Sequence, residues 1–222
     1  MAFVKSWDKI ASQRPDKYVA ISTAVQNRIK KYYKRNSVLI YPPVDIKRFL
    51  STKQSTRPVK DNYFLYVSRL IPYKKPDLVV KAFNLLGKKL LVVGKGSEKQ
   101  KLEKMAKENI KFIDFLSDED LALYYQNAEA LVFPGEEDFG IVMVEAIASG
   151  TPVIAYEKGG ALDIVKNGVN GIFLESQNLE ELVKTVRKFD KGKFSKKNMR
   201  NSIEIFLKEK FQEGIRDVVA KL

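Results

Sequence analysis

The segment Pro134 to Gly150, PGEEDFGIVMVEAIASG, holds two glutamates, Glu137 and Glu145, with seven residues between them. It follows ALVF, an apolar run that reads as a buried strand, and it leads into a helix expected to begin near Phe139. Glu136, Glu137 and Asp138 precede that helix, where a carboxylate gains about 0.3–1 kcal/mol from the macrodipole, and this accounts for Asp138 as a cap. It does not account for Glu145. That residue sits inside the helix among Ile141, Val142, Met143, Val144, Ala146 and Ile147, with Ile141 and Ser149 as its i−4 and i+4 neighbours. No basic residue lies nearby in the sequence, and a buried carboxylate without a partner is costly. A pair of ligand hydroxyls, such as a ribose diol, would satisfy it. Two other stretches carry groups able to hold an anion. Arg69 and Lys74 lie in SRLIPYK, where on their own they read as surface charge, and Gly94-Lys95-Gly96 follows the run KLLVV.

Composition narrows the chemistry. The 222 residues include no Cys and no His, which excludes disulfides, thiolate nucleophiles, most zinc sites and a histidine general base supplied by this chain. Carboxylates, Lys and Arg remain. Hydrophobic residues make up 45% and charged residues 30%, ordinary for a globular chain, and no apolar run is long enough to cross a bilayer. Met1 to Arg14 lacks the apolar core of a secretory signal, so a cytoplasmic location is expected. The net charge of +13 fits nucleic acid, an anionic membrane or a phosphorylated small ligand. Much of it lies in Lys99 to Lys107 and Lys191 to Lys197, which read as solvated faces, and no nucleic-acid motif accompanies it. The segment Arg28 to Arg35, RIKKYYKR, interleaves two tyrosines with five basic residues and offers a peripheral contact to acidic lipid.

The elements that position these groups alternate. Strands are expected at Tyr63 to Val67, Lys89 to Val93, Ile110 to Asp114, Ala130 to Phe133, Pro152 to Ala155 and Gly171 to Phe173, with helices between them. Runs such as KLLVVG are apolar on both pleat faces, as buried parallel strands are, so the expected fold is α/β: a doubly wound, Rossmann-like parallel sheet. In such sheets ligands bind beyond the carboxyl ends of the strands. Before the sheet come a short strand at Asp16 to Ser22, a helix at Thr23 to Tyr33, a strand at Val38 to Tyr41 and a polar loop at Ser51 to Asp61. Helices follow it at Leu179 to Phe189, Lys196 to Phe206 and Lys208 to Lys221. The glycine turn fails as a dinucleotide fingerprint because the third glycine position is Lys99.

Glu137 and Glu145, followed by Ala146 and by SGTPVI at Ser149 to Ile154, resemble the signature of the group 1 (family 4) retaining glycosyltransferases. The stretches YPPVDIKRF, LIPYKKPD and EKGGALDIV extend the likeness over nearly the whole chain, which looks most like bacterial and archaeal mannosyltransferases of polysaccharide assembly. The resemblance implies the C-terminal, donor-binding half of a GT-B enzyme and a nucleoside-diphosphate sugar as donor, GDP-mannose favoured, with no cofactor and no metal. It assigns Glu137 to the donor hexose, Glu145 to the ribose, and the amides around Phe139, Gly140 and Ile141 to the diphosphate, in keeping with the affinity of helix N-termini for phosphate. Arg69 and Lys74 would clamp the pyrophosphate as a leaving group, with Lys75 able to share the work. Gly94 and Gly96 would approach the nucleotide and Leu116 and Ser117 the base, although Asp114 stands where relatives carry glycine; Gly159-Gly160 would border the donor.

Residues 1–41 then correspond to the last strand and helix of an N-terminal domain, 42–190 to the nucleotide-sugar domain, and 191–222 to helices packed on the sheet or toward the other domain. The acceptor, a glycan or lipid-linked sugar, is implied to bind that N-terminal domain, so activity of this chain alone is not expected. Two alternatives stand beside this: a non-catalytic nucleotide-sugar-binding subunit of a split enzyme, and a basic nucleic-acid or membrane-surface module.

Overall fold

The computed structural model describes residues 2–50 and 62–222, so the loop expected at Ser51 to Asp61 lies outside the described residues. Six parallel strands form the main sheet: β3 (Tyr63–Val67), β4 (Leu90–Val93), β5 (Ile110–Ile113), β6 (Ala128–Phe133), β7 (Val153–Tyr156) and β8 (Gly171–Leu174). They run in the order β5-β4-β3-β6-β7-β8. Two short strands, β1 (Val19–Ala20) and β2 (Val38–Leu39), pair in parallel as a separate sheet.

The helices are α1 (Ala2–Ala11), α2 (Thr23–Tyr33), α3 (Ile46–Leu50), α4 (Pro76–Leu86), α5 (Lys99–Met105), α6 (Asp118–Asn127), α7 (Ile141–Ala148), α8 (Ala161–Ile164), α9 (Leu179–Lys188), α10 (Lys196–Asn201) and α11 (Lys208–Val219). Their ends follow from local chemistry. Ser22, Ser117 and Asn178 cap α2, α6 and α9 by accepting from the amides of Val25, Asp120 and Glu181. Helix α4 opens on Pro76 and closes on Gly87 at φ 65°, a conformation that glycine adopts without strain.

Alternation along the strands builds a core on each face. In β3, Tyr63 and Leu65 pack with residues of α3, α6, α7, α8 and α10, whereas Phe64 and Tyr66 pack with α4, α5 and α9. Such two-sided burial is what continuous apolar strands require. The alternation of strand and helix expected from sequence is present, with boundaries moved by one or two residues, except that the helix expected at Lys196 to Phe206 ends at Asn201 and gives way to a 3-10 turn at Glu204–Phe206.

Three local expectations are corrected. The strand expected at Asp16 to Ser22 shrinks to Val19–Ala20, and Met1 to Arg14, judged only for its lack of a signal, contains the helix α1. The helix expected from Phe139 starts at Ile141, because Gly140 takes a left-handed conformation, φ 100°, and becomes its N-cap. Asp138 is then too far back to cap and instead contacts Arg28 of α2.

Helix α2 is tied to the sheet domain by two polar contacts. At the start of α2 the amide of Thr23 donates to Asp163 Oδ2 at 2.8 Å, and its hydroxyl contacts Oδ1; the second tie is Arg28 to Asp138. Within RIKKYYKR, Tyr33 donates to Asp8, and Arg35 lies over the Tyr18 ring at 5.4 Å while donating to the carbonyl of Pro15 at 2.7 Å. Helix α1 leaves an apolar stripe in solvent: Phe3, Val4, Trp7 and Ile10 are 82%, 65%, 57% and 65% exposed. No helix among the described residues is long and apolar enough to cross a membrane.

Candidate active site

With β3 as the first strand of the main sheet, the order is 3-2-1-4-5-6, and the chain changes direction of winding between β3 and β6. A crevice opens at such a switch point, outside the carboxyl ends of the two central strands. The loop leaving β3 carries Arg69 and Lys74; the loop leaving β6 carries Glu137 and the start of α7. They face each other across a cleft of about 520 Å³ lined by Arg69, Tyr73, Lys74, Glu137, Gly140 and Ile141, among others.

Lys74 ends a 3-10 turn, Pro72–Lys74, after which Lys75 adopts φ 59° and turns the chain into α4. Tyr66 donates its hydroxyl to the Lys74 carbonyl at 3.1 Å and anchors the turn to the core. The Lys74 ammonium lies over the Tyr73 ring at 4.9 Å and forms an ion pair with Glu137 Oε1. Burial holds its pKa below the usual lysine value, and the nearby Arg69 guanidinium adds to that, against a smaller opposing pull from Asp138. A site that crowds two cations in this way favours an incoming anion.

Helix α7 contributes from the other wall. It has no side-chain cap. The first amides of an α-helix lack partners within it, so Gly140 and Ile141 present an N-terminus suited to phosphate. Phe139 contributes backbone only, since its ring is buried against Tyr41 and Phe206 at centroid distances of 6.2 and 5.4 Å. The loop is held from behind: the Gly160 amide donates to the Glu137 carbonyl at 2.7 Å, and a Cβ at Gly160 would meet the Phe139 carbonyl oxygen at 2.2 Å.

Glu145 lies one helical turn beyond Ile141 on the same face, next to the cleft rather than in its lining. The partner that no neighbour in sequence supplies comes from other elements. Tyr125 of α6 donates to Glu145 Oε2 at 3.1 Å. Burial raises the Glu145 pKa above the usual carboxylate value, while the Tyr125 hydrogen bond and the charge of Arg48 on α3 oppose the rise.

The remaining residues singled out in the sequence stand further out. Gly94 and Gly96 are outside the lining of this cleft; a Cβ on them would meet the carbonyl oxygens of Ser68 and Leu70 at 2.0 and 2.2 Å, so they let the β4–α5 loop back the loop that carries Arg69. Lys99 and Asp114, the two departures from the glycine patterns, form an ion pair with each other. Ser117 caps α6, and Leu116 packs beside the core. Tyr125 and Arg48 escaped the sequence reading, and Arg28, read there as part of a basic segment for acidic lipid, instead contacts Asp138. Each acts on a partner distant in the chain, and no local spacing marks such contacts.

Against known families, residues 47–205 match the model described as glycosyl transferases group 1. The matched span contains both loops of the cleft, Glu145 and Tyr125. This chain belongs to the group 1 glycosyl transferases. Among curated relatives, it is 28% identical over 223 residues to an uncharacterized glycosyltransferase of Methanocaldococcus jannaschii, covering 96% of this chain and 62% of that protein. It is 33% identical over 146 residues to a GDP-mannose-dependent alpha-mannosyltransferase of Corynebacterium glutamicum, covering 62% of this chain and 35% of the relative. Anabaena HepE, solved in complex with UDP and glucose, superposes with a TM-score of 0.81 at 22% identity over 96% of this chain and 65% of HepE. The group 1 chain described here thus spans less than two thirds of the length of the Methanocaldococcus protein and of HepE.

Proposed function

We propose that this chain binds the nucleoside-diphosphate sugar of a retaining hexosyltransferase in the cleft between the β3 and β6 loops. The observation that carries the reading is the convergence of Arg69, Lys74, Glu137 and the N-terminus of α7 on one cleft at the switch point. The diphosphate lies between the two cations and the α7 amides, the hexose hydroxyls face Glu137, and the ribose reaches Glu145 one turn further along. In the reaction the bond from sugar C1 to the β-phosphate oxygen breaks and its electron pair passes to the diphosphate. Arg69, Lys74 and the helix dipole are placed to stabilise that charge, and no metal is invoked. The acceptor oxygen then bonds to C1 on the face the phosphate left, and its proton passes to the departing diphosphate oxygen.

The Corynebacterium relative supports GDP-mannose as donor, and HepE shows that the fold also holds UDP. The acceptor half is assigned to a segment corresponding to the part of the relatives that this chain does not span. That segment has a place to sit: the exposed stripe of α1, and β1–β2, too short a sheet to be stable unaided. We place the activity in the cytoplasm, with the exposed Lys30 and Lys31 of α2 and Lys34 just after it available to an anionic membrane surface.

Calorimetry with GDP, UDP, ADP, GDP-mannose and UDP-glucose tests the reading. Saturable binding of at least one, weakened about tenfold or more in the Lys74→Ala and Arg69→Ala variants, is the expected result. Equal heats for the wild type and both variants would remove it.

A further inference from the structure

We propose that Tyr125 is a positioning residue for the nucleotide: its buried hydroxyl pins one oxygen of Glu145 and leaves the other to accept from the ribose. The inference rests on the reading of Glu145 as the ribose ligand, and its test is chosen to separate the two.

Tyr125 is fully buried, and its backbone carbonyl accepts from the Thr151 hydroxyl. Its ring stands edge-on to Phe49 at 6.1 Å. Packing alone would be served by phenylalanine, since a buried hydroxyl gains nothing unless it finds an acceptor. This one finds Glu145 Oε2 at 3.1 Å. Burial together with the adjacent carboxylate drives the phenol pKa well above its usual value, so at ordinary pH Tyr125 keeps the proton that it donates to Glu145. A donor held by the core on one side of a half-buried carboxylate fixes the rotation of that carboxylate and favours its ionised form.

Other charged groups around α7 act away from the Glu145 carboxylate, apart from Arg48; Arg69 faces the N-terminal end of the helix across the cleft. On α3, Arg48 acts on Glu145 through its charge while contacting Asp118 and Glu119 of α6, and Lys47 pairs with Glu209. From α10, Arg200 donates to the Ala148 carbonyl at 3.1 Å, and Lys196 lies against Gly150 beyond the far end of the helix. Asp163 of α8 holds Thr23, and Lys74 and Glu137 pair with each other at the N-terminal end. Tyr125 therefore supplies the hydrogen bond that, with the charge of Arg48, opposes the effect of burial on Glu145.

The test is calorimetric titration of UDP and GDP into the wild type, Tyr125→Phe and Glu145→Gln, from mildly acidic to mildly basic pH. The phenylalanine keeps the ring and its packing. Removing the donor destabilises the ionised carboxylate, so Tyr125→Phe should bind several-fold more weakly near neutrality, and its affinity should fall away at a higher pH than in the wild type. Glu145→Gln should bind weakly with a flat profile through the same acid range. A 13C titration of the Glu145 carboxyl without nucleotide should move upward in Tyr125→Phe. If Glu145→Gln binds as the wild type does, the ribose reading fails and this inference falls with it. If Glu145→Gln is weakened while Tyr125→Phe keeps the wild-type affinity and acid limb, or loses affinity equally at every pH, the ribose reading stands and the positioning role is overturned.

Discussion

Lys74 shares its ammonium with Glu137, so a diphosphate entering the cleft competes with a carboxylate for the same cation. Glu137→Gln removes the competitor. Free GDP or UDP should then bind several-fold more tightly by calorimetry, while sugar transfer by a preparation that includes the acceptor half should fall. Arg69 has no such competitor among the contacts described, and Arg69→Ala should weaken diphosphate binding by about 10- to 100-fold, as loss of a hydrogen bond from a charged donor does. Glu145 carries a stability cost for its role. A carboxyl whose pKa is raised on folding contributes stability below its unfolded pKa, and that stability is lost as pH rises through the folded value. Near neutral pH the ionised side chain is thus a burden, and Glu145→Gln should raise the melting temperature there in thermal unfolding. The gain should vanish in acid, where the wild-type carboxyl is already neutral.

At the scale of elements, the loops are fixed to one another through backbone as much as through side chains. A methyl group at Gly160 would overlap the Phe139 carbonyl, so Gly160→Ala should cost about 1–3 kcal/mol in denaturant unfolding and blunt nucleotide binding together. Ser117→Ala, which removes the cap of α6, should cost about 1 kcal/mol with little effect on affinity at a cleft it does not line. The strands and major helices were legible because their apolar periods and turn residues act locally: KLLVVG and ALVFP can do little else. The start of α7 was not, since Gly140 sets it by a backbone conformation that composition does not reveal, and with it went the expectation that Asp138 caps. The acid pair, Arg69 and Lys74 were legible through their resemblance to a family motif. Tyr125 and Arg48 were not, because their significance lies in which helices pack against α7. Helix α1 was missed because its apolar residues form a stripe rather than a run.

For the whole molecule, the strand order decides the site, and it is a property no single segment holds. The net charge of +13 is spread over helix surfaces, and several of its most suggestive members, Arg28, Arg35 and Lys99, are taken up in ion pairs or carbonyl contacts. The exposed stripe of α1 belongs to this scale as well. Replacing Trp7 and Ile10 by serine should leave the melting temperature of this chain nearly unchanged, exposed positions costing at most about 0.5 kcal/mol, while abolishing association with a separately expressed acceptor half in sedimentation experiments. The two ties of α2 have a mechanical meaning. Arg28 grips the residue next to Glu137, and Thr23 is fastened to Asp163, three positions after the glycine that braces the same loop. Any body seated on the first two helices therefore has a lever on Glu137, and a tilt of that body would be felt at the cleft without passing through the sheet.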